Sequence, residues 1–205
     1  MAKVFTEITR LSDKDCFYIV ERHKTEFTYP LHRHKEFELN FIQNGKGVRR
    51  IVGDSVEEIG DYELVLVGGE ELEHVWEQGS CQSKDIREIT IQFSGDIFGN
   101  ELLSKNQFAS IQRMLRRAEH GLSFPLSTIM KVYSILDDIA HDKERFVQFL
   151  KSLYILYELS VSEDARVLAS SSFAHSPRKV ESRRVEKVRQ YIDEHYSNQL
   201  KLADL

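Results

Sequence analysis

The hydrophobic period of this chain changes once, near Gly99, and that change limits its fold more than any other feature. Before Gly99 the period is two. Runs such as DCFYIVERH, EFELNFIQ, GVRRIV, SVEEI, YELVLVG, EHVWEQ and REITIQF are short and rich in β-branched and aromatic residues. They are separated by Asn44-Gly45, Gly53-Asp54, Gly60-Asp61 and Gly68-Gly69, the punctuation of strands joined by turns. In REITIQF the alternation sets Ile89, Ile91 and Phe93 on one face. Short strands this closely spaced favour a small antiparallel barrel or sandwich. Asn44-Gly45, directly after an alternating strand, predicts a β-hairpin.

After Gly99 the period is that of a helix. Phe108, Ile111, Leu115 and Ala118 form one stripe, and Ile129, Val132, Tyr133, Leu136, Ile139 and Ala140 form another, with Pro125 near its start. A third helix is expected over roughly Glu144 to Ser160. Its Phe146, Phe149, Leu150, Leu153, Ile155, Leu156, Tyr157 and Leu159 cover more than one face. One side is free to pack on the strand layer while another needs a partner, either inside a three-helix cluster or across a dimer axis. Residues 162–182 are small, polar and Ser-rich and read as a linker. Beyond them Val185, Val188, Ile192 and Tyr196 recur at helical spacing, and SNQLKLADL reads as a turn with the opening of another helix. The chain is therefore expected to stop inside a structural unit, because two such pieces cannot bury their own apolar faces.

With 205 residues, 41% of them hydrophobic and 30% charged, the composition is that of a globular protein with one sizeable core and an appendage. No apolar run approaches membrane-spanning length. The N-terminal MAKVFTEITRLSDKD carries early acids and no long apolar stretch, so a cytoplasmic protein is expected, with Cys16 and Cys81 as free thiols. A net charge of −5 argues against binding nucleic acid over the whole surface. The basic charge is gathered late, at Arg178, Lys179, Arg183, Arg184, Lys187 and Arg189. That run reads either as a solvated helix face or as a phosphate contact. No Gly-rich phosphate loop, serine nucleophile elbow or HExxH element is present.

The segment YPLHRHKEFELNFIQNGKG holds the residues richest in chemistry. His32 and His34 are two apart, so in extended chain their side chains leave one face with Cα atoms roughly 6–7 Å apart. Glu38 has the same parity, yet straight strand would carry it about 13 Å beyond His34. A shared site for the three therefore requires a bend near Lys35 and Glu36.

HRHKEFELNFIQNGKG has the form of a first cupin motif, and GDYELVLVGGEELEHVW looks like a second, with a histidine before an aromatic. RVEKVRQYIDEHYSNQLKLADL is similar to the first helix of an AraC-type DNA-binding domain and the entry to its helix-turn-helix. In this order, over nearly the whole chain, the parts resemble the AraC family of bacterial transcription regulators. The sequence departs from the cupin pattern at Gly69 and Glu73, where prolines are expected, and lacks the glycine expected upstream of the first motif.

The resemblance implies an α+β fold: a cupin-like antiparallel β-barrel (double-stranded β-helix) over 1–98, then a helical dimerisation region over 99–161. The linker of 162–182 and the truncated start of a helix-turn-helix domain at 183–205 would follow. It implies a non-enzymatic regulator that binds a small-molecule effector, forms a homodimer and contacts promoter DNA in its full-length form. Ligand-binding residues would be His32, His34, Glu38, His74 and Trp76, and DNA-backbone contacts Arg183, Arg184 and Lys187.

No obligatory cofactor is implied. His74 nevertheless completes a three-histidine, one-carboxylate set with His32, His34 and Glu38, of a kind that divalent zinc, iron, nickel or manganese accepts. The alternative is a metal-dependent cupin enzyme, a small dioxygenase or isomerase, using those four residues. Against both stands the plain reading, in which the histidines line a pocket and hydrogen-bond a ligand or the backbone. Trp76, Phe37, Phe41 and Tyr62 read either as an apolar pocket wall or as core.

Overall fold

The computed structural model describes residues 4–170. The expected helix-turn-helix opening, with Arg183, Arg184 and Lys187, and the linker beyond residue 170 lie outside the described residues. Within them the strands are β1 (Phe5–Thr6), β2 (Tyr18–Lys24), β3 (His32–Arg33), β4 (Phe37–Gln43), β5 (Arg49–Val52), β6 (Ser55–Glu58), β7 (Tyr62–Val67), β8 (His74–Glu77), β9 (Ile86–Phe93), β10 (Leu122–Ser123) and β11 (Arg166–Val167). The helices are α1 (Gly99–Leu103), α2 (Ala109–Ala118), α3 (Leu126–Ile139) and α4 (Arg145–Ser160). None of them is long and apolar enough to cross a membrane.

The ladders close into two separate sheets, not into one barrel. One has five strands in the order β1-β3-β8-β5-β6, and the other has six in the order β11-β10-β7-β4-β9-β2. Pairing is antiparallel except between β1 and β3. The fold is thus α+β with two mostly antiparallel sheets, the sandwich alternative of the sequence reading.

The central strands of the six-stranded sheet, β7, β4 and β9, are buried on both faces, and the two faces differ in chemistry. Leu39 and Phe41 of β4, Leu64 and Leu66 of β7, and Ile89, Ile91 and Phe93 of β9 pack against α2, α3 and α4 in one apolar core. The alternate positions turn toward the five-stranded sheet. There Ile42, Val65, Val67 and Ile86 meet Val52 and Trp76 in a second core, and Glu38, Asn40, Glu63, Glu88, Thr90 and Gln92 are buried among the strands. The alternation in EFELNFIQ therefore separates a helix-facing apolar side from a polar interior, not core from solvent. Phe37, Phe41 and Tyr62 lie on the helix side, so they are core residues and not a wall of the interior.

Asn44-Gly45 makes a turn but not the expected hairpin. β4 pairs with β7 and β9, whereas β5 pairs with β6 and β8, so the chain crosses from one sheet to the other at this point. Asn44 takes a left-handed φ of 61° and ties its side-chain amide to the Asp85 carbonyl at 3.0 Å. A Cβ at Gly45 would stand 2.5 Å from Ile42 Cγ2, which explains why the corner needs glycine. The two-residue hairpin is Gly53-Asp54, closing Val52 against Ser55 with φ 59° at Gly53, a position where glycine suits the twist of the flanking strands.

The helices follow the sequence stripes closely. Thr128, Ile129, Val132, Leu136 and Ile139 are the buried positions of α3, and the Pro125 carbonyl accepts the amides of Thr128 and Ile129 at 2.9 and 3.0 Å. α4 buries Ser152, Ile155, Leu156 and Leu159. Its opposite side leaves Phe146, Leu150, Tyr154 and Tyr157 exposed.

Residues 165–170, inside the segment read as a linker, are stitched to this fold. β11 pairs with β10, Arg117 donates to the Ala165 carbonyl at 2.6 Å, and the Leu168 and Ala169 amides bond the Gly121 and His120 carbonyls at 3.0 and 2.8 Å. Arg166 grips Glu57 through two bonds of 2.6 Å.

Candidate metal centre

Three histidines meet where β3, the bend after it and β8 come together. His32 and His74 are direct partners across the β3–β8 ladder, so their side chains leave the same face at close range. His34 follows β3, and the chain bends at Lys35 and Glu36 before β4 begins at Phe37. That bend answers the reach problem of the sequence, because it brings Glu38 Oε2 to 3.4 Å from His34 Nε2. The ring centroids lie 4.3 Å (His32–His74), 4.9 Å (His34–His74) and 5.8 Å (His32–His34) apart. One ring nitrogen of each histidine lies within 4.8 Å of the others, as do donor atoms of Glu7, His34 and Glu38.

The hydrogen bonds decide which nitrogens face inward. His32 Nδ1 donates to the Pro30 carbonyl at 2.9 Å, His34 Nδ1 to that of Glu36 at 3.0 Å, and His74 Nδ1 to that of Leu72 at 3.0 Å. A carbonyl only accepts, so each Nδ1 carries a proton and each neutral ring offers its Nε2 lone pair. His32, His34 and His74 are 5%, 4% and 1% exposed, and the Nε2 atoms of His34 and His74 are buried without a hydrogen-bond partner. Each anchor spans two residues back or forward along the same local chain, so backbone shape alone sets the ring orientation.

Glu38 is the carboxylate of the group. Gln92 Nε2 donates to its Oε2 at 2.8 Å, and Asn40 Nδ2 lies 3.5 Å from its Oε1. Asn40 reaches Glu88 at 3.4 Å, and Lys24 pairs with Glu88 at 2.6 Å. Burial would raise the Glu38 carboxyl, but His34 beside it, the charge of His74 and the hydrogen bond from Gln92 hold it well below its ordinary range. Burial pulls the His34 imidazole down, and Glu38 beside it more than offsets this, so its proton affinity is raised. His74 is pushed down to about 3, first by burial and then by His32, and burial likewise lowers His32. The pocket thus resists protonation at His74 yet attracts positive charge between His34 and Glu38.

This donor set fits a divalent transition ion. Imidazoles held through Nδ1 to backbone carbonyls, with Nε2 lone pairs converging on a carboxylate, are the arrangement in which outer hydrogen bonds orient metal ligands. Unpartnered buried nitrogens have a cost that such an ion would remove.

Trp76 follows His74 on β8, with ring centroids 6.0 Å apart, but its indole Nε1 is committed to Glu63 Oε2 at 2.8 Å. Glu63 also pairs with Arg50, which is only 2% exposed. Sequence reasoning missed Asn40, Glu88 and Gln92, although Asn40 shares the parity of Glu38 on β4. It also missed Glu7, whose Oε2 lies 3.5 Å from His32 Nε2; nothing local marks that residue. Tyr29 stands edge-on to His32 at 4.7 Å, and its hydroxyl is pushed up to about 12 by burial and by the charge and hydrogen bond of Glu7.

Two observations from comparison with other proteins stand beside this geometry. No protein-family model matches the chain, and no curated protein matches it by sequence. Solved structures similar to it include an apo single-substitution variant of ToxT from Vibrio cholerae strain SCE256, with a TM-score of 0.45 and 14% identity over 95% of this chain and 70% of that one. Wild-type ToxT of the same strain, bound to an unsaturated fatty acid, gives a TM-score of 0.45 and 14% identity over 96% of this chain and 69% of that one. ToxT of Vibrio cholerae O395 bound to (E)-4-(8-methylnaphthalen-1-yl)but-3-enoic acid gives 0.43 and 12% over 93% and 70%.

Proposed function

We propose that this chain is the effector-sensing and dimerisation portion of an AraC-type bacterial transcription regulator, and that its effector is a divalent transition-metal ion held by His32, His34, Glu38 and His74. The observation that carries the metal reading is the convergence of three backbone-anchored imidazoles whose inward nitrogens include two buried ones without a partner. The regulator reading is supported by the order of the sequence motifs, from the histidine segment to the basic C-terminal helix.

When bound, the ion would supply a fixed positive charge that ties β3, β4 and β8 together. Glu38 and Gln92 sit on the strands whose other faces carry the helical core, so a change in strand spacing is transmitted to α2, α3 and α4. Occupancy would shift how α4 and the linker of 162–182 hold two copies of the DNA-binding portion, whose Arg183, Arg184 and Lys187 contact phosphates. This is coupling between two sites, with each ligand strengthening the other. The exposed stripe of α4 provides the homodimer contact in this reading.

The test is elemental analysis of protein purified without added metal, followed by promoter binding of the intact gene product with and without chelator. Stoichiometric metal together with metal-dependent DNA affinity is the expected result. Absence of metal and indifference to zinc, iron, manganese and nickel would sink the metal reading, and absence of promoter binding under every condition would sink the regulator reading.

The same donors would serve a metal-dependent dioxygenase or isomerase. Catalytic centres keep a coordination position open, and the Glu7 carboxylate beside His32 weighs against that here.

A further inference from the structure

Glu7 is a carboxylate beside the histidines that comes from outside the strands building the site. It is carried just after β1, which runs parallel to β3 with Phe5 opposite His32 and Thr6 opposite Arg33. The Phe5 amide bonds the Leu31 carbonyl at 3.0 Å, and the Glu7 amide bonds that of Arg33 at 2.9 Å. Little else holds this segment. Phe5 is 50% exposed and Ile8 83% exposed, so apolar burial does not fasten it, and a ladder two residues long does not by itself offset the entropy of ordering the segment. Its side-chain tie is Glu7, whose carboxylate lies 3.5 Å from His32 Nε2.

Glu7 also belongs to the ligand geometry. Its carboxylate, a His34 nitrogen and a Glu38 oxygen all lie within 4.8 Å of one another, the same spread that groups the three histidines. His34 is common to both groups, and its Nε2 has no hydrogen-bond partner. The two groups therefore adjoin through His34, so a small shift of β1 or of the bend would let Glu7 join the donors around one ion. Two carboxylates so close together repel each other unless a cation lies between them.

We propose that Glu7 is a fifth ligand to the ion held by His32, His34, Glu38 and His74, so that metal binding and docking of β1 onto β3 are one coupled event. The proposal rests on the metal reading above. By linkage, a docked β1 tightens the ion and a bound ion fastens β1. The N-terminal segment would then report occupancy of a buried site at the protein surface.

Cobalt(II) is a suitable probe, because its visible absorption reports ligand number while its binding is titrated. The experiment compares the 205-residue chain with its Glu7→Gln variant, following cobalt absorption, affinity by competition, and hydrogen exchange of the Phe5 and Glu7 amides. In the parent chain cobalt should slow exchange of both amides. In Glu7→Gln the cobalt spectrum should change, affinity should fall at least about tenfold, and exchange at β1 should no longer depend on cobalt. A Glu7→Asp variant should recover part of the protection. If Glu7→Gln binds cobalt with unchanged affinity and spectrum, Glu7 is not a ligand although the metal site stands. If the parent chain binds no cobalt, zinc or manganese, the metal reading and this proposal fall together.

Discussion

Replacing His74 with leucine should make the metal-free protein no less stable and the metal-loaded protein much weaker, which is an inversion that a merely structural histidine does not produce. His74 is 1% exposed, with its Nε2 unpartnered. A buried polar atom left unsatisfied costs about 1–3 kcal/mol, and a hydrogen bond such as that of His74 Nδ1 to the Leu72 carbonyl contributes about 1 kcal/mol. Leucine of similar volume removes both, for a net gain of about 0–2 kcal/mol in chelator-treated protein. Each kcal/mol moves the melting temperature of a chain this size by about 2–4 °C. An ion at a hundred times its dissociation constant adds about 2.7 kcal/mol to the parent protein and should add little to the variant. Thermal melts in chelator and in excess zinc measure both ends. If His74→Leu is destabilised by more than about 1 kcal/mol in chelator, or if zinc leaves the ranking unchanged, the argument from the unpartnered Nε2 is wrong.

Arg50→Met should cost about 3–5 kcal/mol in urea denaturation by leaving Glu63 buried without its cation, and adding Glu63→Gln should restore part of the loss. Glu57 is held at about 2 against an ordinary 4.5, through its hydrogen bond from Arg166 first and despite partial burial. Its contribution is therefore present above pH 4.5 and lost as pH falls through about 2, and Glu57→Gln should flatten the denaturation midpoint across that window. Leu150→Glu together with Tyr154→Glu, at positions 49% exposed, should lower self-association in sedimentation while leaving the melting temperature of the monomer nearly unchanged; a parent chain that is monomeric at every concentration refutes the dimer.

Periodicity made the helices and the helix-facing side of the central sheet legible, because apolar stripes answer directly to burial. Ile129, Val132 and Leu136 could be placed without coordinates. It failed where a strand is buried twice. The polar residues of β4 and β9 look solvent-facing in a sequence, and only the second sheet reveals Asn40 and Gln92 as interior groups. Asn44-Gly45 misled for a related reason: a left-handed turn records local backbone, not which sheet the next strand joins. His32, His34, Glu38 and His74 could be grouped from the two cupin-like motifs, with Glu38 reaching the histidines only through the bend at Lys35 and Glu36. Glu7 was beyond reach, since its place depends on a parallel pairing two residues long that leaves no pattern in the chain.

The pairing of β2 with β9 has a consequence for how the molecule is made. Tyr18 lies opposite Gln92 and Lys24 opposite Ile86, so β2 leaves the ribosome long before β9, its partner among the described strands, exists. At ordinary synthesis rates of about 5–20 residues per second the wait is several seconds. During it a seven-residue strand offers an unpaired edge and the side chains of Tyr18, Ile19 and Val20 to any other chain nearby. The acids and bases that follow in β2, Glu21, Arg22 and Lys24, act as gatekeepers over that interval. Neutralising them should lower the soluble yield of newly made protein more than it lowers the stability of protein already folded.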